Sequence, residues 1–551
     1  MQLVDSAHVD TFCRDNLPPR ELWPEFRFDL PELRYPGRLN CAEQLLDETI
    51  RAFGADRPCL HTPAETWTYG DLRCRSNQVA RVLTEDFGLV PGNRVLLRGP
   101  NNPWLVATWF AVLKAGGVVV TTMPLLRTGE IASLFALTRP MLSVCDTRFT
   151  EDLTAADPSL PVLVYGGGEP GDLITRAATK RTEFTTVDTA ADDVALLAPT
   201  SGTTGKPKAT MHFHRDVLAN ADTFGKHVLK ATADDVFTGT PPIGFTFGLG
   251  GLVIFPMRAG ASALLLERAN PEELADAMAR HRVTVLFTAP TAYKAILATG
   301  KASGLVSLRR CVSAGEYLAK PVWEEFFRAT GIRIIDGIGG TELLHIFIAT
   351  ADDDIRPGST GKPVPGFHAA VLDDDGNPVP DGVAGRLAVK GPTGCRYLAD
   401  ERQRVYVHKG WNITGDTFVR DSDGYYWYQA RNDDMIISSG YNIAGTEVET
   451  ALAGHPDVLE AAVVGAPDPG RGTIVKAFVV LRDGASPGDA KVVELQEFVK
   501  KAIAPYKYPR DIEFVPELPK TGTGKIQRFL LRQLSLEPSR THEPVRGPET
   551  E

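Results

Sequence analysis

No two of the seven cysteines (Cys13, Cys41, Cys59, Cys74, Cys145, Cys311, Cys395) stand in a C-x-x-C spacing, and their number is odd. A disulfide framework is therefore not expected. Free buried thiols in a reducing, cytoplasmic setting are. A basic stripe is also lacking: 69 Asp and Glu outnumber 59 Lys and Arg, for a net charge of −10. That argues against nucleic acid as a partner. Uninterrupted apolar runs are short. The longest stretch, Trp104 to Leu126, is broken by Lys114, Gly116, Gly117 and Pro124, so it reads as helix then strand in a core, with no membrane as partner. The first residues carry Asp5, Asp10 and Asp15 and no signal-peptide h-region, in keeping with a cytoplasmic protein.

What is present is a chain of 551 residues, 43% apolar and 23% charged, an ordinary balance for a soluble enzyme. Its length exceeds one core, so two or more domains are expected. One segment is unusual. An apolar run, Val194 to Ala198, leads into Pro199-Thr200-Ser201-Gly202-Thr203-Thr204-Gly205-Lys206-Pro207-Lys208. Glycines leave backbone N–H groups open to a ligand, hydroxyls add donors and lysines add charge, so the loop suits a polyphosphate. It is not the G-x-x-x-x-G-K-[ST] loop of kinases and GTPases. Thr200 stands where that pattern needs its first glycine, and Pro207 where it needs Ser or Thr.

Two stretches alternate strand and helix. In the first, Asn93 to Leu97, Val118 to Thr122 and Leu142 to Cys145 read as strands around helices at Pro103 to Lys114 and Gly129 to Leu137. In the second, Ser262 to Leu266, Val283 to Phe287, Arg310 to Ser313 and Ile332 to Ile335 are strands. Helices open at Pro271 and Pro321, the latter closed by Gly331. Parallel sheets are implied, with ligands beyond the strands' carboxyl ends. Loops at Thr288-Ala289-Pro290, Ala314-Gly315-Glu316 and Asp336 to Glu342 converge on one such edge. From about residue 366, hairpin strands with turns at Asp375-Gly376 and Asp423-Gly424 indicate a small β subdomain. After Asp433 comes a compact α+β unit, where Thr446-Glu447-Val448-Glu449 reads as a capping box.

Five motifs occur in order: SGTTGKPK, Gly339-Gly340-Thr341-Glu342, Thr414-Gly415-Asp416, Arg431-Asn432-Asp433-Asp434 and Pro519-Lys520-Thr521-Gly522-Thr523-Gly524-Lys525. Together they resemble the adenylate-forming superfamily of acyl-CoA synthetases, luciferases and peptide-synthetase adenylation domains, over nearly the whole chain. Within it, Gly337 to Ile348 (GIGGTELLHIFI), Gly248-Leu249-Gly250 and the N-terminal Ala7 to Phe12 with Asn16 to Pro19 resemble aryl-CoA ligases. The likeness is to the benzoate and 2-aminobenzoate type.

The resemblance implies an α/β fold: a large N-terminal domain (1–432) of parallel-sheet βαβ subdomains with a small β-barrel-like subdomain, then a small mobile α+β domain (433–551). It implies ATP, Mg²⁺ and CoA, a small aromatic carboxylic acid as substrate, and a monomer or homodimer. Thr200, Ser201, Gly202, Thr203, Thr204, Gly205, Lys206 and Lys208 would hold the β- and γ-phosphates. Glu342 would hold Mg²⁺ and Thr341 bond the α-phosphate. Gly315, Glu316, Asp336 and Gly337 would flank adenine. Asp416 would accept the ribose hydroxyls, and Arg431 would meet ribose or phosphate. Lys525 would reach the carboxylate and the α-phosphate during adenylation. Asp433 would be the hinge that exchanges Lys525 for the Gly440-Tyr441 face in the thioester step. The acyl pocket would draw on Phe245, Thr246, Phe247, Gly248, Gly339, Gly340, Leu343, Leu344, His345 and Ile346. His345 either meets an ortho substituent or fills a core position. Gly244 and Thr246 stand where benzoate enzymes tend to carry bulkier or apolar residues. The acid therefore stays open among 2-aminobenzoate, benzoate, another aromatic and a medium-chain acid, as does loading of a carrier protein.

Overall fold

The computed structural model describes residues 3–201, 207–268, 270–431, 435–438, 441–468, 472–503, 507–520 and 526–536. The first alternating stretch builds a six-stranded sheet in the order Val162–Tyr165, Leu142–Asp146, Arg94–Arg98, Val118–Thr121, Val194–Ser201, Pro207–Phe213. All neighbours are parallel except the last pair, an antiparallel hairpin in which Thr200 faces Lys208. The central strands are buried along their length, as a parallel sheet covered on both faces requires. The crossover helix Pro103–Lys114 starts on Asn102, whose side chain accepts from the Leu105 N–H, with Pro103 in the first turn. Every residue of it but Trp104 is buried. Its last residue, Lys114, lies inside the protein because Asp47 meets its ammonium at 2.7 Å and Asn77 accepts from it at 3.0 Å.

The second stretch builds an eight-stranded sheet: Ile346–Ala349, Ile334–Gly339, Arg310–Ser313, Val285–Thr288, Val236–Gly239, Ser262–Leu264, Pro58–His61, Thr66–Thr68. From Ile334–Gly339 to Pro58–His61 the neighbours run parallel, and the two outermost strands are antiparallel. Register aligns Gly239 with Phe287, Thr288 with Ser313, and Ser313 with Asp336. The polar loops predicted to converge therefore do leave one edge. Helices Pro271–Arg280 and Lys320–Thr330 pack into a core with Leu274, Met278, Trp323 and Phe326. Asn270 and Glu273 close a capping box on the first, and Gly331, at φ +72°, ends the second.

A smaller five-stranded sheet is formed from His368–Leu372, Ala384–Lys390, Trp411–Arg420, Val407–His408 and Tyr426–Arg431. The two predicted turns are present, with Gly376 at φ +82° and Gly424 at φ +84°. The chain divides into two compact units. One holds Met1–Val383, Leu387–Thr414 and Arg420–Trp427; the other holds Ala384–Arg386, Gly415–Val419 and Tyr428–Glu551. The second unit contains the hairpin Met435–Ser438 and Tyr441–Ala444 and a three-stranded sheet, Val458–Asp468, Gly472–Leu481, Asp511–Phe514, under the helices Gly445–Ala453, Asp489–Ala502 and Arg528–Leu534.

One expectation about this unit is corrected. Thr446 and Glu449 do not form a capping box. The helix begins at Gly445, after Ala444, which gives no side-chain cap. The Thr446 hydroxyl donates instead to the Gln429 carbonyl at 2.7 Å. Glu449 accepts from the Val463 N–H at 2.8 Å and pairs with Arg528 at 2.7 Å. Tertiary partners have taken both ends of a local motif. Among the described residues no helix is long and apolar enough to cross a membrane.

Candidate active site

The chain from Ile334 to Ile346 carries much of the site. The strand Ile334–Gly339 runs past its parallel neighbour, then a 3₁₀ turn, Thr341–Leu343, leads to the returning strand. Leu344 closes this turn at φ +71° and ψ −38°, a conformation a side chain rarely adopts. The turn is held from three sides. The Thr393 hydroxyl donates to the Leu343 carbonyl at 2.8 Å, and the Asn220 amide donates to the same oxygen at 3.4 Å. His212 Nε2 meets the Thr341 carbonyl at 2.8 Å, which fixes the proton on that nitrogen. Burial pushes His212 down to about 4, so the ring is neutral at pH 7.

The hairpin strand Val194–Ser201 packs against this turn. Lys208, on the returning strand, thereby reaches Glu342: its Nζ lies 3.0 Å from Glu342 Oε1. Tyr397 joins them, its hydroxyl donating to Glu342 Oε1 and accepting from Lys208. The Lys208 ammonium also sits 4.2 Å from the Tyr397 ring centre and 5.5 Å from that of Tyr406. Burial works to raise the Glu342 carboxyl. The Lys208 charge and the bonds from Tyr397 and Lys208 outweigh it, and the group stays below the usual carboxylate range. Arg402 donates to the Pro207 carbonyl at 3.2 Å and to Asp400 at 2.9 Å, bracing the same strand. Thr200 is half-buried opposite Lys208.

On the adenine side of the expected site, Gly315 comes after the strand Arg310–Ser313 at φ +90°, and Glu316 and Asp336 are half-buried. Burial pushes Asp336 up to about 8, against a single restraining bond from the Gly337 N–H. Gly337 sits in the same strand, where a Cβ would press within 2.9 Å of the Ile346 side chain.

Of the expected acyl residues, His345 and Phe247 share one cluster of rings with Phe224, Phe255 and Phe287, which sequence reasoning did not name for the pocket. His345 is 4% exposed and lies within 4.6 Å of Phe255, 5.6 Å of Phe224, 5.6 Å of Phe247 and 6.1 Å of Phe287, centre to centre. Phe247 and Phe287 are in turn 5.5 Å apart. Gly250 makes room for the imidazole: a Cβ there would stand 2.3 Å from its Cδ2. Gly339 lets the two strands close, since its Cβ would meet the His345 carbonyl at 2.7 Å. Burial pushes His345 down to about 3. Its Nε2 makes one long contact, 3.4 Å, to the Phe247 carbonyl, and its Nδ1 is buried with no hydrogen-bond partner among the described residues. Phe245, Thr246 and Gly248 lie at the start of the short helix Thr246–Leu249, Gly248 buried and the other two half-buried. Gly340 and Thr341 are half-buried; Leu344 and Ile346 are buried.

Asp416 is half-buried in the strand Trp411–Arg420, in the stretch that belongs to the second unit. Gly202, Thr203, Thr204, Gly205, Lys206, Asp433, Gly440 and Lys525 lie outside the described residues, as do the side chains of Ser201, Arg431 and Tyr441. Sequence reasoning misses Tyr397, His212 and Thr393. No spacing signals them, because the contacts of Tyr397 with Glu342 and Lys208 span 55 and 189 residues.

These features coincide with known proteins. The AMP-binding enzyme family matches residues 46–397, and the AMP-binding enzyme C-terminal domain matches residues 447–525. A benzoate–CoA ligase of Thauera aromatica is 35% identical over 91% of this chain and 97% of its own. The mitochondrial acyl-coenzyme A synthetase ACSM3 of Homo sapiens is 35% identical over 85% of this chain and 83% of its own. Among solved structures, the anthranilate CoA ligase AuaEII in complex with anthranoyl-AMP superposes with a TM-score of 0.86 at 34% identity, covering 92% of this chain and 99% of that one. A benzoate CoA ligase from Burkholderia xenovorans LB400 gives 0.83 at 32% identity, covering 90% and 100%. The chain belongs to the AMP-binding enzyme family, among its acyl-CoA ligases.

Proposed function

We propose that the enzyme is an ATP-dependent aryl-CoA ligase acting on 2-aminobenzoate or a close benzoate. The substrate carboxylate attacks the α-phosphorus of ATP and pyrophosphate leaves; the CoA thiol then attacks the acyl carbon and AMP leaves. The observation that carries the aromatic reading is the ring box of Phe224, Phe247, Phe255 and Phe287 around His345. Phe247, half-buried where the other three are fully buried, offers a flat apolar face to a flat ring. A buried neutral imidazole with an unpartnered Nδ1 is an acceptor that an ortho amino group can satisfy. Similarity to an anthranilate CoA ligase and to benzoate–CoA ligases supports the same reading.

In this reading Thr200 to Lys208 hold the β- and γ-phosphates and Thr341 the α-phosphate. Gly315, Glu316, Asp336 and Gly337 flank adenine, Asp416 takes the ribose diol, and Arg431 meets ribose or phosphate. The phosphate side concentrates anions, so cations and N–H donors serve the transition state. Mg²⁺ fits the donor set: it takes one or two carboxylates and completes its shell with phosphate oxygens and water, and Glu342 supplies the carboxylate. When bound, the ion neutralises charge on the phosphates. Lys525 serves adenylation, and rotation about Asp433, between domains 1–432 and 433–551, brings Gly440 and Tyr441 to the CoA pantetheine. We place the enzyme in the cytoplasm as a monomer or homodimer.

The test is a panel of 2-aminobenzoate, benzoate, other aromatic acids and medium-chain acids, scored by kcat/KM for AMP release with free CoA. The expected order puts 2-aminobenzoate first. A medium-chain acid ahead by tenfold or more overturns the aromatic reading. Acyl-adenylate that free CoA never consumes would point to a carrier-protein thiol instead. Lys525→Ala is expected to lose adenylation yet still pass preformed acyl-adenylate to CoA; equal loss of both half-reactions removes its assigned role.

A further inference from the structure

Tyr397 lies in none of the five motifs named above, yet Lys208 and Glu342 meet on it. Its side chain is fully buried. Its main chain is tied on both sides to the strand that comes after the phosphate loop: the Met211 N–H donates to the Arg396 carbonyl at 2.7 Å, and the Leu398 N–H to the Ala209 carbonyl at 2.9 Å. Its own N–H donates at 2.8 Å to the side chain of Gln403, which is itself anchored on the Leu22 and Cys395 carbonyls at 2.8 and 3.1 Å. The Tyr406 ring packs edge-on against it at 5.7 Å. A tyrosine so framed has one position for its hydroxyl.

That hydroxyl uses both of its capacities, donating to Glu342 Oε1 and accepting from Lys208 Nζ. Lys208 pairs with the same carboxylate oxygen. Both side-chain partners of Glu342 thus meet on Oε1. With Oε1 held, Oε2 is the oxygen that would meet a cation. The two holders differ in kind. Lys208 is a compact charge on a flexible four-carbon stem, able to turn toward a phosphate. The tyrosine hydroxyl is fixed and neutral, because burial keeps its proton on.

We propose that Tyr397 is a positioning residue for the metal–nucleotide step: it keeps the Glu342 carboxylate in one rotamer after Lys208 has turned from it to the phosphates. This rests on the reading of Glu342 as the magnesium carboxylate. Removing one hydrogen bond to a charged group then weakens magnesium–ATP by roughly tenfold or more, without touching the nucleoside contacts.

Calorimetric titration of the intact, acid-free enzyme with MgATP and, separately, with AMP tests this. Tyr397→Phe keeps the ring packing and removes only the hydroxyl. Its MgATP Kd is expected to rise about tenfold while its AMP Kd stays within about twofold. In turnover, KM for ATP rises by the same factor while KM for the acid holds. MgATP affinity equal to wild type in Tyr397→Phe, or an equal loss for AMP, overturns the proposal. Glu342→Gln run in parallel separates the two readings. If it too leaves MgATP affinity unchanged, the metal role of Glu342 fails. If it weakens MgATP but not AMP while Tyr397→Phe does neither, only the tyrosine's role fails.

Discussion

Asp336 and Glu342 sit on one strand end and the turn beyond it, and burial acts on both, yet their acidities move in opposite directions. Asp336 has no cation against it among the described residues, and burial pushes it up to about 8 against the bond from the Gly337 N–H. Glu342 has an ammonium and a phenol on one oxygen, and it stays below the usual carboxylate range. Burial alone therefore does not decide a carboxyl's charge; a cation at contact distance does. The consequence is a division of labour along a few residues. One carboxyl is drawn toward its protonated form and suits a hydrogen-bonding neighbour, while the other is held toward its ionised form and suits a cation.

The largest expected effect lies at the buried ion pair of Asp216. Its carboxylate is paired with Arg396 inside the first unit, both side chains fully buried, while it also caps the helix His214–Asn220 through the Phe213 N–H. Arg396→Leu leaves that carboxylate the longer contact to Arg215, at 4.0 Å, in place of a close pair, and a loss of about 3 kcal/mol is expected, read as a fall in the thermal or urea midpoint. A loss below about 1 kcal/mol would show the pair to be dispensable. Next in size is Glu342→Gln. Carboxylate-dependent ATP–pyrophosphate exchange is expected to drop by about a hundredfold or more, with circular dichroism unchanged; a drop of less than about threefold would remove Glu342 from the metal role. His345→Leu fills the same box without an acceptor, so the preference for 2-aminobenzoate over benzoate, as a ratio of kcat/KM, is expected to fall about tenfold. An unchanged ratio would make His345 a packing residue.

In pH dependence the comparison yields opposite signs. The folded chain keeps a proton on Asp336 that the unfolded chain loses near 3.8. Its contribution is therefore full below that value and is lost as pH rises toward about 8. Asp336→Asn should make stability fall less than wild type between those limits. For Glu342, whose folded value is depressed, the contribution is present above the unfolded value of 4.5 and lost on acidification through the folded one. Glu342→Gln should flatten the acid side instead. Parallel urea titrations across pH compare the two; equal slopes would dissolve the contrast.

Much of this is legible in the chain. The strand at Arg310 to Ser313 and the helix Pro103–Lys114 fall where apolar pattern and the proline at the first turn put them. The helix at Lys320 ends on Gly331, a left-handed cap that the residue type announces. Motif marks Glu342 and Lys208, and place after parallel strands marks the loops at residues 288, 315 and 340. The failures have a common cause. Thr446 and Glu449 have the spacing of a capping box, but the Gln429 carbonyl, the Val463 N–H and Arg528 compete for the same groups. Likewise, Pro207 and Lys208 read as the end of a loop, yet they open the strand Pro207–Phe213. The hairpin pairing with Val194–Ser201 that makes it a strand is not written in its own residues.

The order of glycines, hydroxyls and lysines between Thr200 and Lys208 marked by itself a loop suited to polyphosphate, and the five motifs together carried the resemblance to adenylate-forming enzymes. Local sequence can do that because backbone N–H groups, short hydroxyls and charge are properties of the residues themselves. Only the tertiary structure decided that Lys208 and Tyr397 meet on one oxygen of Glu342, that His345 is caged by four phenylalanines, and that Asp336 and Glu342 diverge in acidity. Those outcomes depend on desolvation and on contacts between residues far apart in the chain, which exist only once the sheets have brought them together.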